Sequence, residues 1–353
     1  MQALGNHTWR LLIENLIWPI LVVTAIGFSI FAPNFLSVNN ISNIFVNASV
    51  LGFLVIGGSL VLLTRNFDLS TESTLGFTAM LGAWLVTSSS IDVSPGVALP
   101  LMLVVGGVIG YINGTLVTRL KMNAFIVTLA ALIILRGFTY VINDAATIGG
   151  LPDPFTFLGS ENLIGRVSLA AVLLVLAVVV TQAVLNFTPF GRRLLATGGN
   201  PDAARASGID PGKVMRRAFV INGVLAAFAG IILAGQLQSV SADAGQGLIF
   251  QVFAAAVIGG VSLQGGRGTI IGAFGGVLFL AVVDSGLNLV DVNPFLVEPI
   301  RGFIILFAVF VDSRKASIRA KRQSRDRAED SRGSEAPAGP PEPVRGSVGG
   351  DPP

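Results

Sequence analysis

Residues 191–209 read Gly191-Arg192-Arg193-Leu194-Leu195-Ala196-Thr197-Gly198-Gly199-Asn200-Pro201-Asp202-Ala203-Ala204-Arg205-Ala206-Ser207-Gly208-Ile209, a small, polar, basic segment between apolar runs at 167–186 and 216–236. Each flanking run is close to the roughly 20 residues that cross the hydrocarbon of a bilayer. The segment between them is too polar for lipid and too patterned for a simple turn. It has two readings: a polar connector whose charge fixes orientation, or a surface on which a soluble partner pushes. Asn200-Pro201 suits a helix start, because Asn caps well and Pro is comfortable at the first helical position. Ala203, Ala204, Ser207 and Gly208 then predict a short helix along the membrane surface, with small residues that admit a knob-in-cleft fit.

The alternation of apolar run and polar segment extends in both directions. The 353 residues are 52% hydrophobic and 12% charged, against about 25% charged in an ordinary soluble domain. Mean hydropathy is +0.75. Apolar runs predict ten spans, at 15–33, 44–63, 74–90, 97–118, 123–143, 167–186, 216–236, 247–262, 268–289 and 296–312. The fold expected is an all-α, polytopic transmembrane helical bundle. The runs are continuous rather than alternating in and out, which argues against a membrane β-barrel. The third, eighth and tenth spans are short, and the eighth reads as a partial or tilted element. The first run has no basic flank and no small-residue cleavage site, so it is expected to be retained.

The basic residues test this layout. With the N-terminus inside, the cytoplasmic segments hold 20 of the 23 Lys and Arg, leaving only Arg136, Arg166 and Arg301. The opposite loops carry acids, among them Asp92, Asp144, Asp153, Glu161, Asp243, Asp291 and Glu298. This bias predicts ten crossings with both termini cytoplasmic. It divides the chain into a transmembrane domain, 1–312, and a tail, 313–353. The tail begins basic, ends rich in Pro, Gly and Glu, and has too little apolar surface to fold.

Several chemistries find no residues. There is no cysteine, and His7 is the single histidine, so no thiol catalysis and no metal centre is expected. No Gly-x-x-x-x-Gly-Lys-Ser/Thr phosphate loop occurs, nor a Gly-x-Ser-x-Gly nucleophile elbow. We expect no enzyme, no cofactor and no nucleic-acid partner. If ATP powers the protein, another chain binds it.

Ionisable groups inside spans are expensive in lipid and mark either structural pairs or pathways. Asp68 and Glu72 lie one helical turn apart between the second and third spans. They read either as a coupling-ion site or as surface groups, with Asp68 capping the next helix and Glu72 in its first turn. Arg136 lies well inside the fifth span, and Asp284 in the ninth is its expected partner. Asn113, Thr128, Asn222, Gln236, Gln251 and Asn288 supply polar groups that suit a hydrophilic solute and equally suit helix-to-helix hydrogen bonding. Gly268, Gly272 and Gly276 recur every four residues and predict a close-packing face on the ninth span. Val55-Ile56-Gly57-Gly58 is echoed by Val257-Ile258-Gly259-Gly260, with Gly259 and Gly260 again expected at packing contacts.

These residues together resemble the permease-subunit family of bacterial ABC importers for sugars, of the ribose, xylose and galactoside type. The resemblance runs from about Phe35 to Asp312. It is carried by Asp68-Leu69-Ser70, Asn113-Gly114, Phe125-Ile126-Val127-Thr128-Leu129 with Arg136-Gly137, and Gly191-Arg192 through Gly208-Ile209. Val257-Ile258-Gly259-Gly260 with Gly265-Gly266, and Gly286-Leu287-Asn288-Leu289 with Pro294-Phe295, complete it. The chain departs from the family pattern at Arg65-Asn66-Phe67 and Thr71-Glu72-Ser73, at Ile249-Phe250-Gln251 and at Ser285-Gly286, differences that bear on the solute more than on the architecture.

The resemblance implies a permease in the bacterial cytoplasmic (inner) membrane that imports a pentose, hexose or polyol. It implies three partners: a cytoplasmic ATP-binding subunit, an extracytoplasmic solute-binding protein, and a second permease copy or homologue. It makes Gly191, Arg192, Gly198, Asn200, Ala203, Ala204, Ser207, Gly208 and Ile209 the element that docks on the ATPase. Asp68, Asn113, Thr128, Arg136, Asn222, Gln251, Asp284 and Asn288 are the pathway candidates. Two other readings stay open: an ion-gradient-driven carrier, and an importer of the same type for branched-chain amino acids or nucleosides.

Overall fold

The computed structural model describes residues 16–89, 91, 93–293, 295–297, 299–304, 306 and 310. The tail from 313 onward, His7 and part of the tenth span lie outside the described residues. Helices dominate: α1 (Ile17–Phe31), α2 (Val38–Leu63), α3 (Thr71–Thr87), α4 (Pro95–Thr118), α5 (Ala124–Ile142), α6 (Asp153–Ser160), α7 (Leu169–Phe187), α8 (Pro189–Gly199), α9 (Pro201–Ala206), α10 (Pro211–Leu237), α11 (Leu248–Ile258) and α12 (Ile270–Leu289). The described residues from 295 to 306 are helical too.

Six helices, α2, α4, α5, α7, α10 and α12, are long and apolar enough to cross a membrane. The other expected spans are shorter. α1 has 15 residues and α11 has 11, and α3 has 17. At about 1.5 Å rise per residue α11 reaches roughly half a hydrocarbon core, which agrees with its reading as a partial element. Large apolar side chains line the outer faces of α1, α4, α5 and α7, where Val23 is 69% and Val141 74% exposed. An apolar surface of that extent belongs in lipid.

The helix starts follow from local chemistry. Ser37 caps α2, Asn123 caps α5 and Thr269 caps α12, each side chain accepting a first-turn N–H. Three successive helices begin with a capping residue followed by Pro: Thr188-Pro189, Asn200-Pro201 and Asp210-Pro211. The proline loses no bond there, because a first-turn N–H has no partner within the helix.

At the centre stand α2, buried from Ala48 to Leu63, and α10. α10 packs most extensively on α4, and next on α2. The α4–α10 contact is backbone to backbone. A Cβ at Gly110 would overlap the Phe219 carbonyl, and one at Gly106 would overlap that of Gly223. Dispersion between closely approached backbones is what holds helices together where lipid removes the hydrophobic drive. One core cluster gathers α2, α7, α10, α11 and α12. A second joins α3, α4 and α6 to Ile148 and Val240.

Two further features were not anticipated. The stretch expected to be a plain loop between the fifth and sixth spans contains α6, whose Phe155 is fully buried. Two short antiparallel pairings also form, β1 (Ile148–Gly149) with β4 (Ser239–Val240) and β2 (Asn162–Ile164) with β3 (Val167–Ser168).

The expected glycine face is corrected in one respect. Gly272 and Gly276 do meet α11, where a Cβ would overlap the carbonyls of Gly259 and Ala255. Gly268 does not lie on that face, since the helix begins at Ile270. It sits in the preceding loop at φ 142, against Val261. Gly259 shares the contact with Gly272, whereas a Cβ on Gly260 would meet nothing within 4 Å. Gly260 is instead required by its φ of 88.

Candidate functional site

The 191–209 segment folds as two short helices. α8 turns its Leu194, Thr197 and Gly198 inward. Gly198 seats against the end of α2, where a Cβ would overlap the Leu63 carbonyl. The same carbonyl accepts the Gly266 N–H at 2.9 Å. Arg65, just past α2, donates through Nη2 to the Gly199 carbonyl at 2.8 Å. Gly191 packs on the last turn of α7, against Leu185. The inner side of α8 is thereby keyed to α2, α7 and the loop before α12.

The outer side carries the small residues. Asn200 Oδ1 accepts the N–H groups of Asp202 (3.0 Å) and Ala203 (3.1 Å), the cap expected from Asn200-Pro201. Ala203, Ala206, Ser207 and Gly208 are exposed, as are Arg192 and Arg193. Ala204 faces the protein, 4% exposed, and Ile209 is half-buried, so neither belongs to the presented face. Gly208 owes its identity to the backbone. It sits at φ 79, its N–H donates to the Arg205 carbonyl, and the Ile209 N–H donates to that of Ala204. This pair of bonds is the Schellman ending, whose left-handed position favours glycine. Asp210 then caps α10 through the Lys213 N–H at 3.1 Å, and that bond holds its carboxyl below the usual range.

A second constellation lies in the interior, around the turn from α2 to α3. Asp68 Oδ1 accepts from the Ser70 N–H (3.0 Å) and hydroxyl (2.6 Å). Its Oδ2 accepts from Asn222 Nδ2 on α10 at 2.9 Å. Asn222 also donates to Thr71 Oγ1 (2.8 Å), and Asn113 on α4 donates to Ser70 Oγ (2.9 Å). Glu72, in the first turn of α3, accepts the Ile249 N–H at 3.0 Å and so caps α11. Its other oxygen lies 3.7 Å from Arg136 Nη2. Arg136 Nη1 donates to the carbonyls of Ala244 (3.0 Å) and Ala242 (3.3 Å).

This arrangement corrects two expectations. Asp68 and Glu72 are not surface groups: they are 4% and 6% exposed, enclosed by α4, α5, α10 and α11. Arg136 does not pair with Asp284. Its partner is Glu72, brought near by the packing of α3 on α5, while Asp284 accepts from Arg301 Nε at 2.8 Å.

Of the eight pathway candidates the structure joins Asp68, Asn113 and Asn222 in one network, with Arg136 next to it through Glu72. The other four, Thr128, Gln251, Asp284 and Asn288, stand apart. Thr128 bonds back to the Ala124 carbonyl of its own helix at 2.8 Å, Gln251 is half-buried on α11, and Asn288 is exposed near the end of α12. Gln236 ties α10 to α2 through the Val46 carbonyl and Ser49. Sequence reasoning missed Gln182, whose Oε1 accepts the Ile270 and Ile271 N–H groups and caps α12 from α7. Its signal was an amide one turn before Asn186 in an otherwise apolar span.

No solved structure matches the chain. Curated proteins do match along most of their length. The ribose import permease protein RbsC of Bacillus subtilis is 38% identical over 299 residues, 84% of this chain and 92% of that protein. The autoinducer 2 import system permease protein LsrC of Photorhabdus laumondii is 37% identical over 286 residues, 81% and 85% of the two chains. The galactose/methyl galactoside import permease protein MglC of Escherichia coli is 35% identical over 331 residues, 89% and 98%. The family described as branched-chain amino acid transport system / permease component matches residues 40–309. That stretch runs from α2 through every long apolar helix to the helical residues beyond α12, and the chain is a membrane permease belonging to that family.

Proposed function

We propose that this chain is the membrane-spanning subunit of an ATP-driven importer, carrying a pentose, hexose or polyol across the bacterial cytoplasmic membrane. The names of the relatives, ribose and galactoside permeases among them, support the class of solute. An extracytoplasmic binding protein delivers the solute, and a second permease copy or homologue completes the pathway. A cytoplasmic ATP-binding subunit docks on the outer side of α8 and α9. This chain performs no covalent chemistry. It exchanges two global states that its partners bias differently.

The observation that carries the reading is the exposed small-residue face of Ala203, Ala206 and Ser207 on a segment whose other side is keyed to α2. A docked partner that displaces α8 thereby displaces the most buried helix of the bundle. Ten crossings with both termini inside remain the layout that best fits the charge distribution, with α1, α3 and the helical residues from 295 adding to the six long spans, and the half-length α11 crossing only together with the residues that flank it. Residues 313–353 then lie on the cytoplasmic side.

The test is mass spectrometry of what co-purifies with the tagged chain from gently solubilised native membranes. A stoichiometric ATPase is expected, and Ala203→Trp, on the exposed face, should lose it while the chain remains inserted. Normal docking in that variant would sink the assignment of the surface. Uptake that survives ATP depletion and fails when the ion gradient collapses would make the protein a gradient-driven carrier instead.

A further inference from the structure

Where α4 ends and α10 begins, the surface holds a cavity of about 510 Å³, lined by Lys213, Arg216, Arg217, the rings of Tyr111 and Phe190, and Val220. Lys213, Arg216, Arg217 and Val220 fall at helical spacing on one face of α10. Gly114 of α4 makes room for the Arg216 stem, whose Cα and Cγ would lie 3.0 Å from a Cβ at that glycine. Lys213 pairs with Asp210 at 3.4 Å. Arg216 and Arg217 form no ion pair among the described residues, and no carboxylate lines the cavity. Two cations therefore stand uncompensated beside apolar walls.

The cavity is continuous, through Tyr111, with an exposed apolar stripe. Val97, Leu101, Val104, Val108 and Tyr111 are all exposed, and they follow one another along one side of α4. From Val97 to Tyr111 the stripe runs roughly 21 Å at 1.5 Å per residue, more than the ~15 Å of one leaflet's hydrocarbon. It ends at a tyrosine, the residue type that settles where hydrocarbon meets headgroups.

We propose that this cavity binds the phosphate headgroup of an anionic phospholipid, with an acyl chain lying along the α4 stripe. The guanidinium groups supply paired donors and charge for the phosphate, and basic pockets between spanning helices suit such headgroups. A free phosphate would gain nothing from the stripe. A protein partner would have to push carboxylates between the apolar walls.

The test uses the full-length chain in detergent, titrated with phosphatidylglycerol or phosphatidylcholine and read by native mass spectrometry. Each cation near an anionic surface contributes about fivefold, so a phosphatidylglycerol preference of roughly 25-fold is expected for the pair. Arg216→Gln with Arg217→Gln should abolish it, and Arg119→Gln with Lys121→Gln, equal in charge but outside the cavity, should leave it intact. If the double variant does not remain monodisperse, Arg217→Gln alone should lower the preference about fivefold. Equal binding of the two lipids by the unmodified chain, or an equal loss in the control pair, overturns the proposal. So does displacement of phosphatidylglycerol by excess inorganic phosphate, which would make the cavity a simple anion site.

Discussion

Removing the Asn222 carboxamide should cost far more than removing an average polar group from a membrane helix. Hydrogen bonds between membrane helices average about 0.6 kcal/mol, with about 1.7 the largest found in one well-studied bundle. A buried acceptor left without its donor costs about 1–3 kcal/mol. The geometry decides between the two scales. Asn222 is 1% and Asp68 4% exposed, and Asn222 Nδ2 is the only side-chain donor to Asp68 Oδ2 among the described residues. Without it the carboxylate keeps only the Ser70 donors on its other oxygen, and Thr71 loses a partner as well. We therefore expect Asn222→Ala to destabilise by about 2–3 kcal/mol, mostly the cost of a buried acceptor left unsatisfied. The assay is reversible unfolding in mixed micelles, run as a double-mutant cycle with Asp68→Ala. Because either single change breaks the same contact, the double variant should be only slightly worse than the worse single one, with a coupling of about 1.5 kcal/mol or more. An additive cycle, or a single-variant loss below about 0.6 kcal/mol, would refute the reasoning and make the network incidental.

Three further outcomes follow from the packing. Gly110→Val should force α4 away from α10, since the new Cβ overlaps the Phe219 carbonyl; folded yield by fluorescence-detected gel filtration should collapse, and a normal profile would contradict the contact. Glu72→Gln keeps an acceptor for the Ile249 N–H and should lower the thermal midpoint less than Glu72→Ala, which leaves both that N–H and Arg136 without the carboxylate. Asp210→Ala removes the α10 cap, worth about 1 kcal/mol. Because the folded carboxyl lies below its ordinary value of 3.8, this stabilisation is complete above that value and fades as pH falls through the lower folded one. The wild-type advantage over Asp210→Ala should therefore shrink in acid, as followed by thermal unfolding across pH.

The long helices were legible because a bilayer imposes one length and one chemistry. α2, α4, α5, α7, α10 and α12 each appear as an apolar run, displaced at an end by a few residues where capping outweighs hydropathy. The α9 start was legible because Asn200 and Pro201 act locally. The same signal stands at Thr188-Pro189 and Asp210-Pro211, and reading all three would have divided the polar segment into its helices. Gly208 was read as a small surface residue, although its placement after a short helix also fits a left-handed ending. The partner of Arg136 was not legible. It depends on how α3 lies against α5, and nothing in a span's hydropathy records which neighbour it meets. Phe155 and α6 were hidden because a short helix that buries one ring has no periodicity to display.

The fastening of α8 has a mechanical consequence. Gly198 is seated on the Leu63 carbonyl, Arg65 holds the Gly199 carbonyl, and Gly266 bonds to the oxygen on which Gly198 rests. Segments some 200 residues apart in the chain thus meet at one joint with no slack in it. A joint without slack transmits a small displacement whole, in either direction. A conformational change that begins around residue 63 must also tilt α8 and α9, so whatever sits on the outside of those helices can sense the state of the interior as well as set it.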